Sequence, residues 1–288
     1  VKAFLFILLQ HCLPQHLISR CVGALANSET PWIKNQFIRW FHKRYAINMT
    51  EAIEENPLAY PSFNAFFTRA LKPELRPIAE DPEHLVSPAD GAISQLGKID
   101  HGRIFQAKGR SYSLTTLLGG DLDRAAPFIQ GEFATIYLSP RDYHRVHMPI
   151  AGVLRETLYI PGDLYSVNQT TAEGVDNLFA RNERLVAIFD TEIGPMAMVL
   201  VGAMIVAGIE TVWEGQVAPV LKQPRILSRS LNPSISLNKG DEMGRFKLGS
   251  TVILLFGQNA LNWSTQLQAG SPVRMGETLA HYAQENSV

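Results

Sequence analysis

A chain of 288 residues with 46% hydrophobic and 18% charged side chains is long enough to bury a substantial core, and its net charge of −1 gives it no general attraction for nucleic acid. Two cysteines, Cys12 and Cys21, are too few for a disulfide framework or a cysteine metal cluster and point to a reducing compartment. Charge is uneven, however: residues 1–48 carry Lys2, Arg20, Lys34, Arg39, Lys43 and Arg44 against the single acidic Glu29.

Residues 2–26 predict one or two short helices broken near Pro14, with Leu5, Leu8, Leu9, Leu13, Leu17, Ile18 and Val22 forming an apolar side. The apolar run behind Lys2 stops at Gln10-His11 without a clean cleavage site, and it falls far short of the ~20 apolar residues of a membrane span. Neither a signal peptide nor a transmembrane helix is expected. From Trp32 to Tyr45, Ile33, Phe37, Trp40 and Phe41 recur at helical spacing beside Lys34, Lys43 and Arg44. Such a helix suits a membrane interface, where rings sit at the headgroups and cations meet anionic lipid. It equally suits an ordinary surface helix packed on its own domain.

A helical segment is expected to continue from residue 48, followed by a short aromatic helix capped by Ser62. Pro73, Pro77 and Pro82 then end regular helix. Beyond Leu85 the texture becomes that of strands: Gly91–Leu96, Glu132–Leu138, Gly152–Ile160, Arg184–Phe189, Met196–Val206 and Thr251–Phe256. Leu114–Leu118 and Ala172–Phe179 read as helical inserts, and 219–235 as a long surface loop. The fold class is therefore α+β, with N-terminal amphipathic helices in residues 1–82 leading into a mainly antiparallel β-rich core, 83–288, completed by the C-terminal segment.

Three stretches carry chemistry. Ser250 follows Gly249 at the start of an apolar run, where a hydroxyl can turn back on an unhindered glycine carbonyl. Val86-Ser87-Pro88-Ala89-Asp90-Gly91 sets an aspartate after a rigid turn, and Tyr143-His144-Arg145-Val146-His147-Met148-Pro149 gathers two histidines directly after a strand. Taken singly, each has an ordinary explanation as a turn or loop. No metal-binding motif accompanies the histidines, and no metal is expected. The residues alone also allow a serine hydrolase, although no Gly-x-Ser-x-Gly elbow surrounds Ser250.

Together with Pro161-Gly162-Asp163-Leu164-Tyr165-Ser166-Val167-Asn168, Asn177-Leu178-Phe179-Ala180-Arg181-Asn182-Glu183-Arg184 and Leu248-Gly249-Ser250-Thr251, these stretches resemble the bacterial phosphatidylserine decarboxylases, in order through nearly the whole chain. The resemblance implies a precursor that cuts itself between Gly249 and Ser250, giving a large chain 1–249 and a small chain 250–288 that stay together as a heterodimer; a further homo-oligomer is left open. It implies that Ser250 becomes a covalent pyruvoyl group forming a Schiff base with phosphatidylserine, so that carbon dioxide leaves and phosphatidylethanolamine remains. Asp90, His147 and Ser250 match the self-cleavage triad, His147 as base and Asp90 as its orienting carboxylate, and His144 matches a group aiding decarboxylation. A lipid substrate in turn implies a peripheral enzyme on the cytoplasmic face of the inner membrane, with the basic aromatic N-terminus as its anchor.

Overall fold

All six runs read as strands meet in one sheet. The computed structural model describes residues 2–204, 208–218, 225–229, 233–247 and 250–282. Its main sheet has nine strands, eight of them in the order Arg225–Arg229, Gly152–Ile160, Arg184–Thr191, Gly194–Val201, Ser250–Phe256, Glu132–Leu138, Gly91–Lys98 and Pro272–Val273, all neighbours antiparallel. The ninth, Ser236–Leu237, pairs with Gly152–Ile160.

Ser250–Phe256 lies in the middle, and all seven of its residues are buried. Its side chains alternate between two cores, as pleating requires. Val252, Leu254 and Phe256 join one cluster; Ile253 and Leu255 join the other. The first cluster is closed by Val146, Ile209 and Phe246 of a four-stranded sheet, Gly215–Ala218, Gly208–Thr211, Glu242–Lys247 and Arg145–His147, and by Met148 just beyond it. Short helices and the hairpin Arg103–Ala107/Arg110–Ser113 cover the opposite face, through residues such as Ile104, Tyr112, Leu114 and Phe179. Each aliphatic side chain so buried stabilises the fold by about 1.5–3 kcal/mol relative to exposure. The fold is α+β.

Three N-terminal helices precede the sheets: α1, Lys2–Cys12; α2, Gln15–Ala26; and α3, Pro31–Tyr45. Pro14 separates the first two, as its missing N–H demands. A third core cluster, built within residues 26–67, takes Ile38 and Phe41 from α3 and Phe63, Phe66 and Phe67 from the Ser62-capped helix. Phe37 also stacks on Phe63 at 4.0 Å. The inner side of α3 is thus a packing face, while Trp32 and Trp40 stay exposed at 75% and 57%. Lys34, one of the cations of this helix, donates to the carbonyls of Leu58 and Tyr60 at 2.9 and 2.8 Å.

Four expectations are corrected. The helical segment after residue 48 is a single 3-10 turn, Met49–Glu51, because Ala52 turns extended and bridges Leu71, which draws the backbone into a distant pairing. Of the surface loop assigned to 219–235, residues 219–224 and 230–232 lie outside the described residues, and Arg225–Arg229 is a strand, whose partner Gly152–Ile160 is about 70 residues away in sequence and supplies the pattern that local reading lacks. The insert read as Ala172–Phe179 is two short helices, Gln169–Gly174 and Leu178–Arg181. The run read as Met196–Val206 is a strand to Val201 and no longer one at 202–204, while 205 and 206 lie outside the described residues.

Candidate active site

Ser250 is the first residue of the central strand, opposite Leu138 and with no exposed surface. Its Oγ is buried and has no hydrogen-bond partner among the described residues. An unpaired buried hydroxyl costs about 1–3 kcal/mol, and alanine or valine would suit this strand better on stability alone. Leu248 and Gly249, and with them the expected cleavage carbonyl, lie outside the described residues.

The strand Glu132–Leu138 that flanks Ser250 runs into a turn closed by Asp142, whose Oδ2 accepts from both the backbone N–H and the Oγ of Ser139 at 2.7 Å. The turn delivers His144 into the interior, fully buried and 4.1 Å from the Phe67 ring. Nδ1 lies 2.8 Å from the Asp142 carbonyl oxygen. A carbonyl only accepts, so Nδ1 carries the proton and Nε2 is left as a bare lone pair. That Nε2 is buried without a partner among the described residues. Burial pushes the ring's pKa down to about 3, so the imidazole is neutral at physiological pH. The His144 carbonyl accepts the Phe246 N–H at 3.0 Å, which ties this turn to the strand leading toward Ser250.

His147 stands two residues beyond Arg145, in the next short strand. By the same logic its Nδ1–H donates to the Gly240 carbonyl at 2.8 Å, and its Nε2 accepts from the Tyr143 hydroxyl at 3.1 Å. Burial lowers its pKa below 6.5, opposed by the Gly240 carbonyl and by the charges of Glu242 and Asp90. Burial also pushes the Tyr143 phenol up to about 12, so the hydroxyl keeps its proton for this bond.

Asp90 does not hydrogen-bond His147. Its Oδ1 accepts from Arg76 Nε and from the backbone N–H of Met275, both at 2.9 Å, and Arg76 Nη2 donates to its Oδ2. Arg76 reaches Glu51 as well, at 2.7 Å. A bidentate guanidinium outcompetes a neutral imidazole for a carboxylate, and the Gly240 carbonyl takes over the orienting contact on His147. The two segments still meet through backbone, since the His147 N–H donates to Pro88 at 2.8 Å. Gly91 allows this approach to the sheet: a side chain there would come within 2.4 Å of the Tyr137 carbonyl oxygen.

Arg76, the Gly240 carbonyl and the Met275 N–H are functional contacts that sequence reading missed, and Tyr143 stood in a noted motif without a role. Asp90 and Arg76 also border a cleft of about 280 Å³ with Arg69, Arg141, Tyr143 and Arg274. Tyr137, which pairs with Thr251, borders a second cavity of about 310 Å³ with Val167, Gln169 and Ala172.

Asp90→Asn should be costly for stability rather than neutral. It weakens a buried ion pair and one tie to the C-terminal segment, for an expected loss of about 3–5 kcal/mol. Urea unfolding measures this; an unchanged midpoint would remove Asp90 from that role.

A family model described as Phosphatidylserine decarboxylase matches residues 63–281, and a second, described as PSD, matches residues 5–46. Proteins named Phosphatidylserine decarboxylase proenzyme from Pseudomonas entomophila (strain L48) and Pseudomonas putida (strain KT2440) are each 62% identical over 287 residues, 99% of this chain and 100% of theirs. The chain belongs to the phosphatidylserine decarboxylase family. Another protein of the same name, from Ectopseudomonas mendocina (strain ymp), is 60% identical over 98% of this chain. For a phosphatidylserine decarboxylase, a serine-derived pyruvoyl group fits the residues present: the Oγ of Ser250 is uncommitted, and the bare Nε2 of His144 is held on the turn leading from its neighbouring strand.

Proposed function

We propose that this chain is the precursor of a phosphatidylserine decarboxylase that makes its own pyruvoyl group by cutting the bond between Gly249 and Ser250. The observation that carries this reading is the fully buried hydroxyl of Ser250, without a hydrogen-bond partner among the described residues, at the head of a strand that runs on into Val252–Phe256, in a chain of this family. Oγ attacks the Gly249 carbonyl carbon and the peptide nitrogen departs with a proton, leaving residues 1–249 as an ester on the serine. Removal of the Cα proton expels the Gly249 carboxylate and leaves a carbon–carbon double bond. Addition of water and loss of ammonia then give a small chain that begins with the pyruvoyl group.

His147 is the base for the hydroxyl proton. Its Nδ1 is fixed by Gly240, its Nε2 lone pair is engaged by Tyr143, and the charge of Asp90 favours the protonated ring. Asp90 therefore acts on His147 through its field and through the Pro88 backbone contact, rather than by a direct bond.

When present, the pyruvoyl carbonyl supplies the electron sink that loss of carbon dioxide from an amino acid requires. His144 handles the substrate's protons. Its neutral Nε2 takes a proton from the substrate ammonium and returns it to the carbon that has lost carbon dioxide, with phosphatidylethanolamine as product. Carboxyl-labelled phosphatidylserine tests this directly: labelled carbon dioxide should be released and a carbonyl-trapping reagent should stop it. No release, or release indifferent to the reagent, would refute the reading.

The small chain 250–288 stays with the large chain 1–249 because its strands have no fold of their own. Ser250–Phe256 is wedged between two strands, Pro272–Val273 pairs with Gly91, and Thr278–Tyr282 pairs with His84–Val86. Residues 1–82 are the membrane-associating region, seated on the cytoplasmic face of the inner membrane. Among the described residues no helix is long and apolar enough to cross a membrane. Leu5, Leu8, Leu9, Leu17, Leu25 and Trp32 are exposed, an apolar surface suited to lipid.

Deleting residues 1–48 would also strip Ile38 and Phe41 from the third core cluster, so point changes test the anchor more cleanly. Leu9→Ser with Leu17→Ser and Trp32→Ala should weaken sedimentation with anionic vesicles about tenfold or more, given about 1.5–3 kcal/mol per buried large apolar side chain. Unchanged sedimentation would remove the anchor.

A further inference from the structure

The elbow between α1 and α2 grips the loop Leu164–Ser166, a motif to which the chemistry above assigns no part. Gln10, 2% exposed, accepts the Ser166 N–H on Oε1 at 2.8 Å, and Gln15 Oε1 accepts the Leu164 N–H at 2.6 Å. Gln15 Nε2 also donates to the Gln10 carbonyl at 2.8 Å, bracing the two helices against each other across Pro14. Between the two grips, the Tyr165 hydroxyl and His11 Nδ1 lie 2.7 Å apart, their rings edge to face at 5.0 Å. One turn earlier in α1, Ile7 lies so close to Gly174 that a side chain there would strike it at 2.2 Å.

What the elbow holds is a wall of the cavity beside the central strand. Val167 follows the gripped loop directly, and with Gln169 and Ala172 of the next helix it lines the 310 Å³ cavity opposite Tyr137, the residue paired with Thr251. The loop is fixed from the other side by fully buried Asn182. Its Oδ1 accepts the Tyr165 N–H at 3.2 Å, and its Nδ2 donates to the carbonyls of Tyr165 and Gly202 at 2.8 and 2.9 Å. Gly202 follows Val201, which pairs with Thr251 on the opposite side of the strand from Tyr137. The loop is therefore suspended between the N-terminal helices and the strand that begins at Ser250.

We propose that Gln10, His11 and Gln15 are positioning residues for decarboxylation, clamping the loop Leu164–Ser166 so that the cavity beside Thr251 keeps the shape that receives the lipid substrate. This rests on the decarboxylase reading above. The helices that expose leucines to the membrane thus also set a wall of the substrate cavity, and the clamp operates whether or not a membrane is present.

The test uses the full-length protein with Gln10→Ala and Gln15→Ala together. Self-cleavage is followed by intact mass, membrane binding by sedimentation with phosphatidylglycerol vesicles, and turnover with a short-chain phosphatidylserine kept below its micelle concentration. Cleavage and sedimentation should match the unsubstituted protein while kcat/KM falls about tenfold, the scale of one or two net hydrogen bonds. Gln15→Glu, which keeps an acceptor oxygen for the Leu164 N–H, should retain more activity than Gln15→Leu. Amide exchange supplies a measurement that needs no variant to fold: the Leu164 and Ser166 amides should be protected in the unsubstituted protein.

Unchanged turnover in the double variant, a loss explained by uncut precursor or by reduced vesicle binding, or fast exchange at both amides would each overturn the clamp. Unsubstituted protein that cuts itself but releases no carbon dioxide from this substrate would sink the decarboxylase reading and the clamp with it. Active unsubstituted protein with an equally active double variant sinks the clamp alone.

Discussion

Ser250→Ala should leave the chain uncut and without decarboxylase activity. The effect is all or none because the same oxygen is needed as nucleophile and, after elimination, its carbon framework is needed as the pyruvoyl group; alanine offers no leaving group on Cβ. The variant should fold well, since the position is enclosed in an apolar strand and the lost hydroxyl has no partner to abandon among the described residues. An uncut but stable protein is therefore the expected result, and cleavage of this variant would place the reaction elsewhere. His147→Ala should slow cleavage about a hundredfold to ten-thousandfold, the usual contribution of a positioned base.

Acidity gives a second handle on the same step. Burial holds His147 below its ordinary 6.5, so the ring keeps its lone pair as pH falls through that value. The cleavage rate should stay level from about pH 8 down to 6.5 and decline only below it. A rate already halved above 6.5 would show that another group limits the step.

His144→Ala should separate the two halves of the chemistry: self-cleavage goes to completion, and turnover of phosphatidylserine falls about a hundredfold to ten-thousandfold. The geometry argues for this division. With Nδ1–H spent on the Asp142 carbonyl and a pKa of about 3, His144 arrives at the substrate as an acceptor, not as a standing acid. Once it has taken the substrate's ammonium proton it is a strong acid in a dry site, and returning that proton to carbon is favourable. Phe67 packs on the ring and the Phe246 N–H holds its carbonyl, so both the N-terminal cluster and the strand before the cleavage site fix it. Intact mass and carbon dioxide release read the two halves separately. Uncut His144→Ala precursor would move the residue into maturation instead.

Much of this was legible in the chain because its signals are local. Ser62 caps its helix by accepting the Ala65 N–H, Pro14 parts two helices, and the run after Ser250 is apolar on both faces because it is the centre of a sheet. What stayed hidden depends on partners far away in sequence. Arg225–Arg229 becomes a strand only against Gly152–Ile160, and nothing around Arg76 announces a carboxylate fourteen residues later. The assignment of Asp90 as direct orienter of His147 reads a residue's type without its competitors. Arg76 occupies that carboxylate, and a backbone carbonyl at Gly240, invisible to any motif, orients the ring. The helix Pro31–Tyr45 could be read as anchor or as packed element, and it is built with features of both: Ile38 and Phe41 turn inward while Trp32 and Trp40 remain outside.

The central claim is that Ser250 is converted from a side chain into the enzyme's own carbonyl, and the intact mass of the purified protein under denaturing conditions tests it most directly. Two fragments split between Gly249 and Ser250 are expected, the smaller beginning with a pyruvoyl group and resistant to stepwise N-terminal degradation. One undivided mass that persists on incubation, or a small fragment that begins with an unmodified serine, would contradict it.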